Sequence, residues 1–194
     1  MRYTSEYKEQ ARAKLVDAGG RHAKRNGFIS SGMADLAAAA GVTTGSLYKH
    51  FSGKSDLFVA MITAELKRTA DMYAAVDAAD PAAVSRALAE YLSLSHVQHP
   101  EMGCPLPSLT PEIGRSEDAV KLAFEQGIQT IHANVSALTG SSDAAWAVMA
   151  QNVGAVMLAR AMRSDAMQRE LLNAVRNAGA QLISKSMGSE SIVF

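Results

Sequence analysis

Apolar residues recur at every third or fourth position along almost the whole chain, the spacing that places them on one face of an α-helix. No stretch alternates β-branched and polar residues as a half-buried strand does, and alanine, the strongest helix former, is abundant. We therefore predict an all-α fold. With 194 residues, 48% of them hydrophobic, the chain can bury the core of one domain, or of a small domain joined to a larger one.

Capping and helix-breaking residues predict where these helices begin and end. The first should run from Thr4 or Ser5 to Asn26, although Gly19 and Gly20 within it should each cost about 1 kcal/mol relative to alanine. Ser31 is the predicted N-cap of the second helix. Further helices are predicted at 33–40, 44–50, from 54, from 81 through 95, from 116, and at about 143–163 and 166–187. Four of the five prolines lie between Pro100 and Pro111, so we predict that no continuous helix crosses that stretch.

Charge is distributed unevenly along the chain, although the formal net charge is zero. Residues 1–55 contain nine Lys or Arg and four Asp or Glu, a net charge of +5, and the remainder carries −5. A basic N-terminal quarter indicates an anionic partner there. A chance fluctuation of surface charge explains the same numbers, and charge alone leaves both interpretations open.

One segment has the pattern of two short helices joined by a tight glycine turn: residues 31–51, SGMADLAAAAGVTTGSLYKHF. This is the layout of a DNA-reading helix-turn-helix. Its second helix is short enough to enter a major groove and should direct Thr44, Ser46 and Lys49 outward. Gly45 leaves no side chain to hold the backbone away from a duplex, and the start of the helix offers free amides to a phosphate.

The stretch GVTTGSLYKHFSGKSDL, with DLAAAAG before it, resembles the signature of TetR-family transcription regulators. The resemblance covers residues 8–66, and the sequence departs from the usual pattern at Gly32 and at Gly19-Gly20. It implies a three-helix DNA-binding domain at residues 1–52. It also implies a helical regulatory, ligand-binding and dimerisation domain at residues 53–194.

The resemblance also implies roles for single residues of the helix-turn-helix. Those expected at the phosphate backbone are Ser31, Thr43, Tyr48, His50 and Lys54. Thr44, Ser46 and Lys49 occupy the variable positions that read bases. Each role has an alternative: Tyr48 packs against the first helix, His50 is a structural hydrogen bonder, or Lys49 is a solvated surface lysine.

Analogy with the family fold assigns dimerisation and ligand binding to the C-terminal part. The predicted dimer interface, a four-helix bundle from the last two helices of each subunit, contains Val153, Val156, Leu171, Leu172, Val175 and Leu182. Some of these residues fill the subunit's own core in an alternative interpretation. A small apolar or aromatic inducer is expected in a pocket formed by Met102, Cys104, Phe124, Ile128, Trp146 and Met149.

The proline-rich stretch GCPLPSLTPEIG resembles a segment of one TetR-family branch with a Gly-Cys pair, and in some of its members the cysteine senses electrophiles or oxidants. Backbone amides beside Cys104 could lower the pKa of its thiol and make it reactive. The alternative is a buried, inert thiol that behaves as a small hydrophobic residue.

The remaining features favour a regulator over an enzyme. His96, His99, Cys104 and His132 lack the spacing of a metal or catalytic site, no Gly-rich phosphate loop occurs, and no cofactor is implied. A single cysteine, no apolar signal-peptide region and no apolar run of about 20 residues predict a cytoplasmic protein without membrane contact. The predicted function is a homodimeric bacterial repressor that binds double-stranded operator DNA and is released by a small molecule. A thiol sensor on the same scaffold and, less favoured, a small helical enzyme are the alternatives.

Overall fold

The structure, a computed structural model, describes residues 5–188; Thr4, the other predicted start of the first helix, lies outside them. Within this range the chain forms helices and no strand, which confirms the all-α prediction. The helices are α1 (Ser5–Asn26), α2 (Met33–Ala39), α3 (Thr44–Leu47), α4 (Lys54–Ala74), α5 (Pro81–Tyr91), α6 (Leu94–Gln98), α7 (Leu106–Ile113), α8 (Asp118–Thr139), α9 (Ser142–Ala161) and α10 (Asp165–Gly188).

The chain divides into two compact units. The first contains the chain up to Lys67 together with Pro100–Gly127, and the second contains Arg68–His99 together with the chain from Ile128 onward. The predicted DNA-binding domain, residues 1–52, falls within the first unit, which extends beyond it. The functional boundary between residues 52 and 53 stays a prediction.

Two glycines in the middle of α1 allow α4 to pack closely against it within the first unit. A Cβ atom at Gly19 would lie 3.2 Å from the Met61 sulfur, and one at Gly20 would lie 2.6 Å from Glu65 Oε1. The low helix propensity of these glycines is therefore accompanied by a helix contact that a larger residue would obstruct.

A buried ion pair lies at this contact. Lys24 Nζ is 2.8 Å from Glu65 Oε2, and their side chains are 0 and 2% exposed. The same ammonium donates a hydrogen bond to the Gly103 carbonyl at 2.8 Å. Because Gly103 precedes α7, one lysine joins α1, α4 and the segment that leads into α7.

A second polar contact joins α7 to the loop between α1 and α2. Glu112 Oε2 accepts hydrogen bonds from the backbone amides of Phe28 at 2.9 Å and Ile29 at 2.7 Å. Nearby, Ser55 donates to Glu117 at 2.9 Å. The carboxylate of Glu112 thus satisfies two amides of a loop that lies just before the helix-turn-helix.

Close approach of α4 and α8 in the first unit depends on Gly127. A Cβ atom at this position would lie 2.7 Å from Leu66 Cβ, a separation that real Cβ contacts do not reach. The two helix backbones therefore approach each other where one side chain is missing.

Two predicted helix ends are wrong. α3 ends at Leu47 rather than His50, because the Leu47 carbonyl accepts the amides of both His50 and Phe51 in a tight turn. The helix from Pro81 does not reach Ser95: it ends at Tyr91, and α6 begins at Leu94 with Ser93 as its N-cap.

The expected break in the proline-rich stretch is confirmed only for its first half. α7 begins at Leu106 and contains both Pro107 and Pro111. Pro107 lies in the first turn, where its missing amide has no helical partner to lose. Pro111 leaves one carbonyl without its partner, but α7 ends two residues later at Ile113, so little helix is lost.

Candidate nucleic-acid interface

The turn between α2 and α3 is fixed by glycine and by backbone hydrogen bonds. Gly41 has a φ of +68°, a conformation that side chains disfavour, and its amide donates to the Ala38 carbonyl at 2.9 Å. The Val42 amide donates to Ala37 at 3.0 Å. Leu36 and Leu47 are buried on the two sides of the turn. The chain thus adopts the predicted helix-turn-helix. Leu47 packs α3 into the core, and the opposite face of α3 is open to solvent.

One correction concerns the start of α2. Its N-cap is Gly32, whose amide donates to Asp35 Oδ2 at 2.7 Å, so the prediction that Ser31 caps this helix is wrong. Ser31 is only 5% exposed, donates to the Gly27 carbonyl at 2.6 Å and lies 3.0 Å from His22 Nε2. A hydroxyl with these partners holds the α1–α2 loop, and its expected phosphate contact stays a prediction.

The predicted DNA-contact residues of α3 and its flanks differ in how much of each side chain is exposed to solvent. Thr43 is the N-cap of α3 and accepts the Ser46 amide at 3.2 Å. Thr43, Gly45, Tyr48 and Lys49 are exposed, and Thr44, Ser46 and His50 are half-buried. Tyr48 is 54% exposed, which does not fit the alternative that its ring packs against α1.

Lys54, like Ser31, is a predicted phosphate contact that also has partners within the chain. Its ammonium donates to the Ile29 carbonyl at 2.8 Å and lies 5.1 Å from the centre of the Phe28 ring, which stacks on Phe58. An ammonium has three donors, so one carbonyl leaves capacity for a phosphate oxygen. The contacts with Ile29 and Phe28 hold the Lys54 side chain in place at the start of α4.

The sequence reasoning missed the polar residues that support this surface. Lys24, Glu65 and Glu112 hold α1, α4 and α7 together, and Arg12 lies over the Phe51 ring at 4.8 Å. Lys24 lies four residues after Gly20 and eight after Val16, on a buried face of α1, so a charged residue on that face was the available signal.

A comparison with known families decides what this domain is. Residues 15–61 match the family model described as bacterial regulatory proteins, tetR family. These residues form a TetR-family domain. The match contains α2, α3 and the turn between them, together with the second half of α1 and the start of α4.

Two curated transcriptional regulators each match about a third of this chain. The HTH-type transcriptional regulator TtgR of Pseudomonas putida is 36% identical over 62 residues, which is 32% of this chain and 30% of that protein. AcrR of Shigella flexneri is 39% identical over 57 residues, 29% of this chain and 26% of that protein. The matches thus span less than a third of the length of these relatives.

Solved structures show that the TetR-family likeness in fold extends over nearly the whole chain. A TetR-family regulator of Cytophaga hutchinsonii has a TM-score of 0.71 at 18% identity, with 93% of this chain and 98% of that chain covered. Regulatory protein TetR of Rhodobacter sphaeroides has a TM-score of 0.73 at 21% identity over 89% and 98%. E. coli NemR in its reduced form has a TM-score of 0.66 at 20% identity over 87% and 96%.

The residues predicted for an inducer pocket are divided between the two units. Met102, Cys104 and Phe124 belong to the first, and Ile128, Trp146 and Met149 belong to the second. Cys104 and Met149 are buried, Phe124 and Ile128 are half-buried, and Met102 and Trp146 are exposed. Trp146 stacks on His132 with ring centres 4.2 Å apart.

A cavity of about 220 Å³ lies within the second unit, among α5, α8, α9 and α10. None of the six residues predicted for the inducer pocket lines it. The residues that do are Ala78, Pro81, Val84, Ser85, Leu92, Leu138, Val148, Asn152, Val175, Arg176, Gly179, Ala180 and Ile183.

The predicted dimer residues differ in how much surface they expose. Val156 and Leu172 are buried inside their own chain, at 0 and 2% exposure, as in the alternative that some of the set fills the subunit core. Val153, Leu171, Val175 and Leu182 are half-buried. Three further apolar side chains are exposed on the same two helices: Met157, Leu158 and Met167.

Residues 5–188 contain no group of three or more His, Cys, Asp or Glu that could hold a metal ion. No helix among them is both long and apolar enough to cross a membrane.

Proposed function

We propose that this protein is a transcriptional regulator that binds operator DNA as a homodimer and is released from it by a small molecule. The exposed surface of α3, inside the TetR-family domain, is the observation that carries the proposal. A net charge of +5 over residues 1–55 supports an anionic partner for the same region. The curated relatives that match about a third of this chain are named as transcriptional regulators.

In this proposal α3 enters the major groove and divides its contacts between bases and phosphates. Lys49, exposed and without a partner among the described residues, is suited to the acceptor edge of a guanine. Thr44 and Ser46 read neighbouring bases. Thr43, Tyr48, His50 and Lys54 contact phosphates, which fixes the register of the helix on the duplex.

The DNA-binding proposal is tested by measuring the affinity and the sequence preference of two lysine variants. Lys49→Ala should weaken binding to the preferred site by about 1–3 kcal/mol and relax the motif selected from a random DNA pool. Lys121→Ala, which removes an exposed lysine from α8, is the matched control and should change neither. A selected motif that is identical for wild type and Lys49→Ala would refute the base-reading role.

Salt dependence tests the phosphate contacts separately. Raising the salt concentration should weaken binding steeply, because each phosphate contact releases a counterion. Lys54→Ala should reduce the slope of log affinity against log salt by about 1 without changing the selected motif. Binding that is independent of salt would refute the proposal as a whole.

Homodimerisation through α9 and α10 is supported by the apolar side chains exposed on both helices. Leu158 on α9 and Met167 and Leu171 on α10 offer such a surface, and burying it in a partner contact removes it from water. Leu171→Glu should therefore shift the sedimentation coefficient from dimer to monomer. Arg169→Glu, two residues earlier on a different face of α10, is the control and should remain a dimer.

Two modes of release fit the scaffold, and the burial of Cys104 favours one of them. At 8% exposure the thiol is poorly accessible to an oxidant, which supports reversible binding of a small apolar or aromatic molecule. Release by unreactive apolar compounds that persists in Cys104→Ser supports this mode, and release only by electrophiles that is lost in Cys104→Ser supports the thiol.

A further inference from the structure

The cavity of the second unit has mostly apolar walls and few polar side chains. Apart from Ser85 at its exposed rim, its polar side chains are Asn152 on α9 and Arg176 on α10. The other lining residues are aliphatic or glycine. A mostly apolar cavity with a small number of placed polar groups is the usual form of a small-molecule site.

Asn152 on α9 is a buried polar residue of the cavity wall, with an exposure of 4%. Its side-chain amide has two N–H donors and a carbonyl acceptor. A polar group of a ligand in the cavity would pair with this amide.

Arg176 brings a positive charge that forms no ion pair with a carboxylate of the described residues. Its Nη2 donates to the Leu92 carbonyl at 2.8 Å and its Nη1 to Asn173 Oδ1 at 3.0 Å. Its Nε is buried and has no hydrogen-bond partner, and no salt bridge to a described residue is formed. Carbonyl and amide oxygens satisfy single donors but leave the net charge in place, which favours an anion.

The two polar groups lie at the same level of the α9–α10 hairpin. Asn152 is nine residues before the end of α9, and Arg176 is eleven residues after the start of α10. With a rise of about 1.5 Å per residue, they differ by about 3 Å along the hairpin. Ile183 lines the cavity about 10 Å further along α10, so the cavity has one polar and one apolar end.

We infer that this cavity binds a small monocarboxylic acid with an apolar chain of about eight carbons. Its carboxylate accepts hydrogen bonds from Arg176 Nε and Asn152 Nδ2, and its chain extends toward Ile183. The cavity is smaller than the roughly 300–1,000 Å³ of drug-sized sites, which favours a single chain over a compound with several rings. The inference rests on the ligand-binding role proposed above and names a site and a ligand class for it.

The test compares octanoate with octan-1-ol, which has the same chain without the carboxylate, by isothermal titration of the full-length protein. Octanoate should bind at least tenfold more tightly than octan-1-ol. Arg176→Met should abolish this preference while binding of octan-1-ol persists, which also reports that the variant is folded. Arg163→Met, which removes an exposed arginine outside the cavity, should keep the preference.

Variants of Gly179 test the location without touching Arg176. A Cβ atom at Gly179 meets nothing within 4 Å, although this residue is buried and lines the cavity. Gly179→Leu should therefore fill the space and abolish binding of both compounds. Gly179→Ala raises helix propensity in the same way but leaves most of the volume, and it should still bind octanoate.

Equal affinities for octanoate and octan-1-ol, no binding of either compound, or a preference that survives Arg176→Met would each overturn the inference. Undiminished binding in Gly179→Leu would also overturn it, because the ligand would then lie elsewhere. Operator binding is measured separately by fluorescence anisotropy. If the protein binds operator DNA but not octanoate, the proposed ligand site is wrong and the proposed function stands. If the protein binds octanoate but not DNA, the proposed function is wrong.

Discussion

Replacing Lys24 by methionine removes the cation from a pair whose two side chains are almost fully buried. The Glu65 carboxylate would remain in the interior without that cation, and the Gly103 carbonyl would lose a donor at 2.8 Å. Breaking a buried ion pair on one side typically destabilises by about 3–5 kcal/mol. This is a large part of the roughly 5–15 kcal/mol that stabilises a folded protein.

The expected change is measured by thermal unfolding, followed by far-ultraviolet circular dichroism at a fixed protein concentration. For a chain of this size each kcal/mol shifts Tm by about 2–4 °C, so Lys24→Met should lower Tm by roughly 6–20 °C. Arg21→Met is the matched control on the same helix. It breaks an exposed pair with Asp17, and such pairs contribute only about 0–1 kcal/mol.

A double variant separates loss of the ion pair from loss of packing. Lys24→Met with Glu65→Leu removes both charges and should recover most of the stability, because an apolar pair of similar volume often replaces a buried ion pair without loss. A residual loss of about 1–3 kcal/mol is expected from the unsatisfied Gly103 carbonyl. If the double variant is no more stable than Lys24→Met, or if Lys24→Met unfolds like Arg21→Met, the assignment of the loss to a stranded charge is wrong.

Two further predictions follow from single carboxylates. Glu112→Ala removes the acceptor of the Phe28 and Ile29 amides, so it should destabilise by about 1–3 kcal/mol and weaken operator binding, and unchanged values of both would contradict this role. Hydrogen bonds from the backbone amides of Ala83 and Ala82 hold the pKa of Asp80 below its ordinary value of 3.8 at the start of α5. A carboxylate whose pKa is lower in the folded than in the unfolded protein stabilises the folded state at pH values above its ordinary pKa. This stabilisation is lost as the pH falls through the pKa of the folded protein. The Tm advantage of wild type over Asp80→Asn should therefore shrink between pH 5 and about pH 2, and a constant difference would exclude the carboxylate charge as its source.

Most helices could be predicted because their ends depend on residues close in sequence. Gly27 and Gly41 have positive φ angles where helical residues do not fit, and Thr43 caps α3 by accepting the Ser46 amide. α7 could not be placed in this way. Its prolines predict a broken backbone, and the tolerated positions of Pro107 and Pro111 depend on where the helix begins and ends.

The supporting contacts of the site depend on residues far apart in sequence and could not be read from spacing. Lys24 meets a glutamate 41 residues later, and Phe28 meets one 84 residues later. From the sequence alone, Gly19 is expected only to lower the helix propensity of α1. In the structure, the absence of a side chain at Gly19 leaves room for the Met61 side chain. The cavity that contains Asn152 and Arg176 was missed for the same reason, since its walls come from four helices.

The contact between Gly127 and Leu66 limits how this sequence can drift during evolution. A single-nucleotide change converts a glycine codon to alanine, yet a methyl group at position 127 would occupy the space of the Leu66 side chain. In a saturation mutagenesis library selected for folded protein, every substitution at position 127 should be depleted. Gly53, where a Cβ atom meets nothing within 4 Å, should accept alanine in the same library, so tolerance at the two glycines reports helix proximity rather than backbone freedom.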